Sequence, residues 1–253
     1  MKIFLVNFKV MFYSKMSKYA FWLLSALMIV SSACAPTRFV EPLKKGTNAV
    51  SVSAGGPLVN VPGVATMPLP LSSVTYGRGV TEDITVYGSY FLTSSIFGTF
   101  QMEVGSSIRL LEHDVKNWGV SVAPALNFAF DRFEGNTKLW PLIDGNFYWK
   151  YNARGQKQED LLTNKDFKAN NLYLGLGSWF ELSSERAHEE PQSTNVIPML
   201  HLGHDLNWKS WGFKFEVKFL APFTSNENIV LDYKSAFGDY GATGLYLGFT
   251  RRF

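Results

Sequence analysis

Residues 211–219 read Trp211-Gly212-Phe213-Lys214-Phe215-Glu216-Val217-Lys218-Phe219. Trp211, Phe213, Phe215, Val217 and Phe219 fall on one side of this stretch, and Gly212, Lys214, Glu216 and Lys218 on the other. A β-strand projects successive side chains to opposite faces, whereas a helix would scatter these residues around its circumference. Five large apolar groups opposite three charges suit a strand set between lipid and a polar interior, and they also suit the half-buried strand of a soluble sheet.

The pattern recurs in both directions along the chain. Leu172, Leu174, Leu176 and Phe180 oppose Tyr173, Gly175, Gly177 and Trp179; Leu200, Leu202, Leu206 and Trp208 oppose His201, Gly203, Asp205 and Asn207. Phe100, Met102, Val104, Ile108 and Leu110 oppose Gln101, Glu103, Gly105, Ser107 and Arg109, and Trp118–Phe130 and Ile84–Leu92 alternate likewise. Weaker candidates cover 47–58, 69–79 and 138–150, and the chain closes on 241–253. The count is about ten strands, several longer than the roughly 5–6 residues of soluble sheets and suited to the roughly 9–11 needed to cross a bilayer at a tilt. Since hydrocarbon cannot satisfy an open sheet edge, the expected fold is all-β: a closed antiparallel up-and-down transmembrane β-barrel over 47–253. Pro124, Pro141 and Pro198 fall inside these strands and mark expected bulges or strand ends. Trp118, Trp140, Trp149, Trp208 and Trp211, near strand ends, are expected in the interfacial girdles.

In the last segment Leu245, Leu247, Phe249 and Phe253 alternate with Gly244, Tyr246, Gly248 and Thr250. This resembles the terminal strand of bacterial outer-membrane proteins, and the resemblance implies that Phe249 and Phe253 form a signal read by the barrel assembly machinery. Arg251 interrupts the apolar side, where a long cation near a rim snorkels to lipid head groups.

The N-terminal region reads as an export signal. Lys15 and Lys18 precede an apolar run from Tyr19 to Val30, then the small residues Ser31, Ser32 and Ala33. The run is shorter than the roughly 20 apolar residues of a spanning helix. Ser31-Ser32-Ala33-Cys34 resembles the lipobox of bacterial lipoproteins, with Ser31 in place of the usual aliphatic residue, and implies acylation of Cys34. Ordinary cleavage after Ala33 or Ala35 is the alternative. The expected division is thus a signal peptide over 1–33, a tether over 34–46 rich in Pro and Lys, and the barrel beyond. An N-terminus on the periplasmic side of a bacterial outer membrane would send Ser183–Asn195 and Pro222–Tyr240 outward. The long polar segment Tyr151–Asn170 would then lie on the periplasmic side, which requires either a miscounted strand or an exceptional turn.

Composition agrees with an unusual solvent. Aromatic residues make up 15% of the chain and charged ones 18%, below the roughly 25% charge of soluble domains. The formal charge of +3 arises in the leader: Lys2, Lys9, Lys15 and Lys18 precede Cys34, and removing them leaves 20 basic against 21 acidic residues. A near-neutral chain without a basic stripe gives no basis for a nucleic-acid partner; the expected partners are outer-membrane lipid and the assembly machinery.

The inward polar set comprises Glu103, Arg109, Asp144, Lys150, His201, Asp205, Lys214, Glu216 and Lys218. A ten-stranded barrel is narrow, so these residues are expected to pair into a plug; a small gated pore or a ligand cavity is the rival reading. His201 and Asp205 stand roughly 13 Å apart along one strand at about 3.4 Å per residue, too far for a dyad. His204 points to lipid, yet the run His201-Leu202-Gly203-His204-Asp205 does not match the motif of lipid A deacylases, so no enzyme activity is expected. No cofactor or metal motif is present: the four histidines lack ligand spacing, and Gly77-Arg78-Gly79 reads as a turn. A structural or surface-interaction barrel is the first reading. A narrow solute channel is the second, and a soluble lipocalin-like lipoprotein with every strand inverted is the third.

Overall fold

The computed structural model describes residues 38–63, 65–113, 117–152, 167–182, 195–226 and 231–253. The strands are β1 (Asn48–Val61), β2 (Ala65–Pro68), β3 (Leu71–Gly79), β4 (Ile84–Phe91), β5 (Thr99–His113), β6 (Trp118–Asp131), β7 (Thr137–Tyr151), β8 (Asn170–Phe180), β9 (Val196–Trp208), β10 (Trp211–Ser225) and β11 (Tyr240–Arg252). A single helical turn, α1 (Leu92–Ile96), joins β4 to β5. Each strand from β3 to β11 pairs antiparallel with its neighbour in sequence, β3 pairs with β1, and β11 returns to β1 from Ala49 opposite Arg252 to Pro57 opposite Gly244. Ten strands therefore close a barrel, and the four-residue β2 stands outside the ring as a hairpin partner of β1.

Which residues face inward settles the orientation that alternation left open. Lys214, Glu216 and Lys218 are buried, while Phe215 is 43% exposed, Val104 53% and Leu176 68%. Apolar side chains cover the outside and polar ones fill the inside, so the inverted lipocalin-like arrangement is excluded. Such an exterior is stable against hydrocarbon and costly against water.

The strand prolines sit where the ladder does not need their N–H. Pro124 falls in a break between the β5–β6 pairs Gly105–Ala125 and Ile108–Val122. Pro141 lies just beyond the last β7–β8 pair, Leu142 with Trp179, and Pro198 just beyond the last β9–β10 pair, Met199 with Leu220. One bulge changes which side chains point inward. Arg109 pairs with Ser121 but Leu111 with Val120, so Leu110 is an extra residue. Leu110 and Leu111 then both face outward, and Glu112 joins Arg109 inside.

The ends of the barrel differ. One rim carries the start of β1 and Phe253, the turns β3–β4 and β9–β10, and the two described ends of the long β7–β8 connection. β7 pairs directly with β8, so among the described residues no strand intervenes and the connection leaves and returns at this rim. At this rim Trp211 packs on Phe249 at 5.0 Å, Trp208 on Phe249 at 6.0 Å and Trp118 on Phe147 at 5.7 Å, while Arg251 lies 4.7 Å over the Trp211 ring. Trp140 does not join this girdle. The β7 alternation turns it inward, 5% exposed, into an apolar cluster with Ala129, Leu142, Trp179, Met199 and Leu220.

The inward and outward tryptophans make this orientation measurable. In vesicles of brominated phospholipid, replacing Trp22, Trp118, Trp149, Trp208 and Trp211 by Phe should leave emission from Trp140 and Trp179 that bromine quenches much less than that of the unaltered protein. Equal quenching in both proteins would place Trp140 and Trp179 against lipid and contradict the assignment.

Candidate functional site: a filled lumen

The stretch expected to be a tether, residues 34–46, is described from Arg38 onward, and from there it does more than tether. Arg38, Val40, Glu41 and Leu43 are buried inside the barrel. Backward from β1, the chain turns at the N-terminal rim, where Gly46 N–H donates to Gly79 O at 2.8 Å and Gly79 N–H to Thr47 O at 2.9 Å. It then enters the lumen and reaches the middle of the wall at Arg38. The wall holds its backbone: Ser107 and Ser121 hydroxyls donate to Val40 O, Leu43 N–H donates to Thr85 Oγ1 at 2.7 Å, and Lys214 Nζ donates to Arg38 O. Small residues on the inward tracks make room. A methyl group at Gly119 would collide with the Tyr148 ring and one at Gly203 with Tyr173, the two rings that pack on Val40.

Three groups of charges surround this segment. Deepest is the Arg38 guanidinium, whose Nε and Nη2 donate to Glu103 Oε1 and Oε2 at 2.7 and 2.8 Å and whose Nη1 donates to Asp144. Nearer the rim, Glu41 meets Lys168 at 3.1 Å and Lys150 at 3.9 Å and accepts from Asn171 Nδ2 at 3.0 Å. Lys150 also pairs with Glu112, which meets Arg109 at 2.7 Å, and Arg109 meets Asp83 at 3.2 Å. On the opposite wall Glu216 accepts from Tyr173 OH at 2.6 Å and pairs with Lys218 at 2.9 Å, while Lys214 meets Asp205 at 3.4 Å.

All nine inward polar residues expected from sequence thus line the interior, and eight of them enter ion pairs there. The ninth, His201, shares a 2.7 Å hydrogen bond between its Nε2 and Asn146 Oδ1, and it makes no pair with Asp205. His204 lies on the outer wall, where its ring stacks on Tyr151 at 5.8 Å and bonds its hydroxyl. Alternation could not reveal Arg38, Glu41, Glu112 or Lys168. The first two lie in a segment without periodicity, Glu112 depends on the bulge, and Lys168 returns from the long β7–β8 connection. Cys34 and the signal segment 1–33 lie outside the described residues. Phe249 and Phe253 sit at the seam, where Phe253 N–H and O pair with Asn48 O and N–H at 2.9 Å.

A cavity of about 30 Å³ lies beside the segment, bordered by Arg38, Glu41, Lys168, Asp205, Lys214 and Arg252. That is room for about one or two water molecules. Toward the other rim, the inward side chains of β6 to β10 form the apolar cluster around Trp140 and Trp179.

No protein-family model and no curated protein matches this chain. Among solved structures it has a distant likeness to a bacterial polysaccharide outer membrane secretin, at 11% identity, TM-score 0.36, covering 72% of this chain and 56% of that one. This chain therefore spans little more than half the length of the secretin. It is also similar to the translocator domain of the autotransporter NalP from Neisseria meningitidis, at 10% identity, TM-score 0.35, covering 95% and 96%. A third likeness is to Ail, the attachment invasion locus protein of Yersinia pestis, at 11%, TM-score 0.27, covering 83% and 99%. At such scores none bears on what this chain does. The geometry itself defines the class: a closed, lumen-filled β-barrel with an apolar outer wall.

The rim cluster makes stability depend on pH. Burial pushes the Glu41 carboxyl up, but Lys168, Lys150 and the Asn171 amide outweigh burial and hold it at about 2, against an ordinary 4.5. A carboxyl depressed in the folded state contributes stability above its unfolded value and loses it as pH falls through its folded value. That contribution is on the order of 3 kcal/mol. The unfolding temperature of Glu41→Gln in detergent should therefore lie below wild type at pH 6, with the difference shrinking as pH falls from about 4.5 toward 2. A difference that stays constant across that range would contradict the pairing.

Proposed function

We propose that this protein is a small bacterial outer-membrane barrel with a structural or surface-interaction role, its lumen serving as a packed core and not as a conduit. The observation that carries this reading is the filled interior behind an apolar wall. Paired charged groups, the segment from Arg38 and the Trp140–Trp179 cluster all pack inside the ring. Catalysis is not part of the proposal.

With the N-terminus on the periplasmic side, the opposite rim is the surface that meets partners. There the β1–β2 hairpin is braced by Asn60 N–H donating to Asp232 O at 2.8 Å and Lys234 N–H to Leu58 O at 2.9 Å, extending the sheet beyond the barrel. Ile96 is 79% exposed at this rim and Phe223 83%. Outer-membrane lipid covers the wall, and the C-terminal Phe249 and Phe253 are the segment that assembly machinery would read. Acylation of Cys34 belongs to the same proposal under a chain-length constraint. Only three residues separate it from Arg38, a reach of about 14 Å over four Cα steps within which an anchored cysteine must leave the lumen.

The purified full-length protein from the outer-membrane fraction tests this reading. In planar bilayers it should give no stable conductance, and its intact mass should carry a diacylglyceryl group on Cys34. Steady single-channel currents would overturn the closed lumen in favour of a solute channel, and an unmodified thiol would remove the anchor.

A further inference from the structure

Arg38 is held as a bound ligand is held, not as one wall residue pairing with another. It arrives on a segment with no strand ladder, and wall groups from β4, β5, β6 and β10 hold that segment's backbone. Its planar guanidinium meets Glu103 side-on through two parallel N–H···O bonds and turns its remaining edge to Asp144. This geometry suits a guanidinium and not an ammonium, which is a point charge without a fork. We propose that Glu103 and Asp144 form a guanidinium-binding site inside the lumen, and that Arg38 is its resting occupant.

Several features fit a receptor more closely than a simple internal ion pair. Two carboxylates face one cation, and Asp144 Oδ1, on a residue 4% exposed, has no hydrogen-bond partner among the described residues. Gly177, opposite Asp144 on β8, leaves the space that this oxygen occupies, since a methyl there would collide with it. Glu103 is preset by Tyr87 OH at 3.4 Å and by Asn127 Nδ2 at 3.4 Å, itself held by Gln101 Nε2 at 2.9 Å. Past Asp144 the next inward positions of β7 are Leu142 and Trp140, so apolar groups border the site on that side. The ligand class is a small guanidinium cation.

Arg38→Ala in the full-length protein vacates the site. Its unfolding temperature in detergent should fall by on the order of 10 °C. Millimolar methylguanidinium should restore most of that loss in a saturable manner, while methylammonium at equal ionic strength should not, and wild type should respond to neither. Val40 to Leu43 still hold the path to the rim in this variant, so the small cation is the ligand it can admit. Adding Glu103→Gln to the variant should abolish the methylguanidinium response. If Arg38→Ala does not fold unaided, refolding yield replaces unfolding temperature, and a yield that rises with methylguanidinium alone supports the site. Equal effects of the two cations, or none in either readout, would overturn it.

Discussion

Closure of the sheet is the constraint on which everything else depends. Pairing β11 with β1 from Ala49–Arg252 to Pro57–Gly244 removes the last edge of the ten-stranded ring, so the backbone of the wall is satisfied without water. Once the ring is closed, alternation has only two outcomes at each residue. A side chain faces outward, where apolar surface is tolerated, or it faces into a cylinder too narrow to remain open. Prolines survive in these strands because each falls at a break or end of a ladder.

A narrow polar interior must satisfy its own charges. Buried ions lose several kcal/mol each on leaving water, and removing one partner of such a pair is worse than never having made it. The lumen meets this demand by recruiting groups from outside the strands. Arg38 and Glu41 come from the N-terminal segment, and Lys168 from the connection between β7 and β8. Without Arg38, Glu103 and Asp144 would lose the cation between them. The segment therefore completes the interior that the strands leave electrostatically unfinished, and the apolar cluster around Trp179 packs inside the same ring.

The sequence made the wall legible because period two is read from neighbours alone. Phe215, Leu202 and Val104 face outward and Glu216, His201 and Glu103 inward, as alternation dictates. What failed to show needed three-dimensional context. The residues from Arg38 to Gly46 have no periodicity, and composition alone cannot separate a tether from a plug when Pro, Lys and Gly serve both. Trp140 followed the β7 alternation inward, whereas nearness to a strand end suggested a girdle. The bulge at Leu110 reversed Glu112, which strict alternation from Arg109 would have sent to lipid. The candidate site was legible as a set of inward charges, but not as a seat for a particular guanidinium, because its occupant carries no strand signal.

The central claim, a closed barrel in a membrane, is tested most directly by electrophoresis of the membrane-extracted protein in cold detergent with and without boiling. The account predicts that the unboiled protein migrates faster than the boiled one, because the closed ring resists detergent until heated. A single position for both samples, with the protein released from membranes by carbonate, would contradict it.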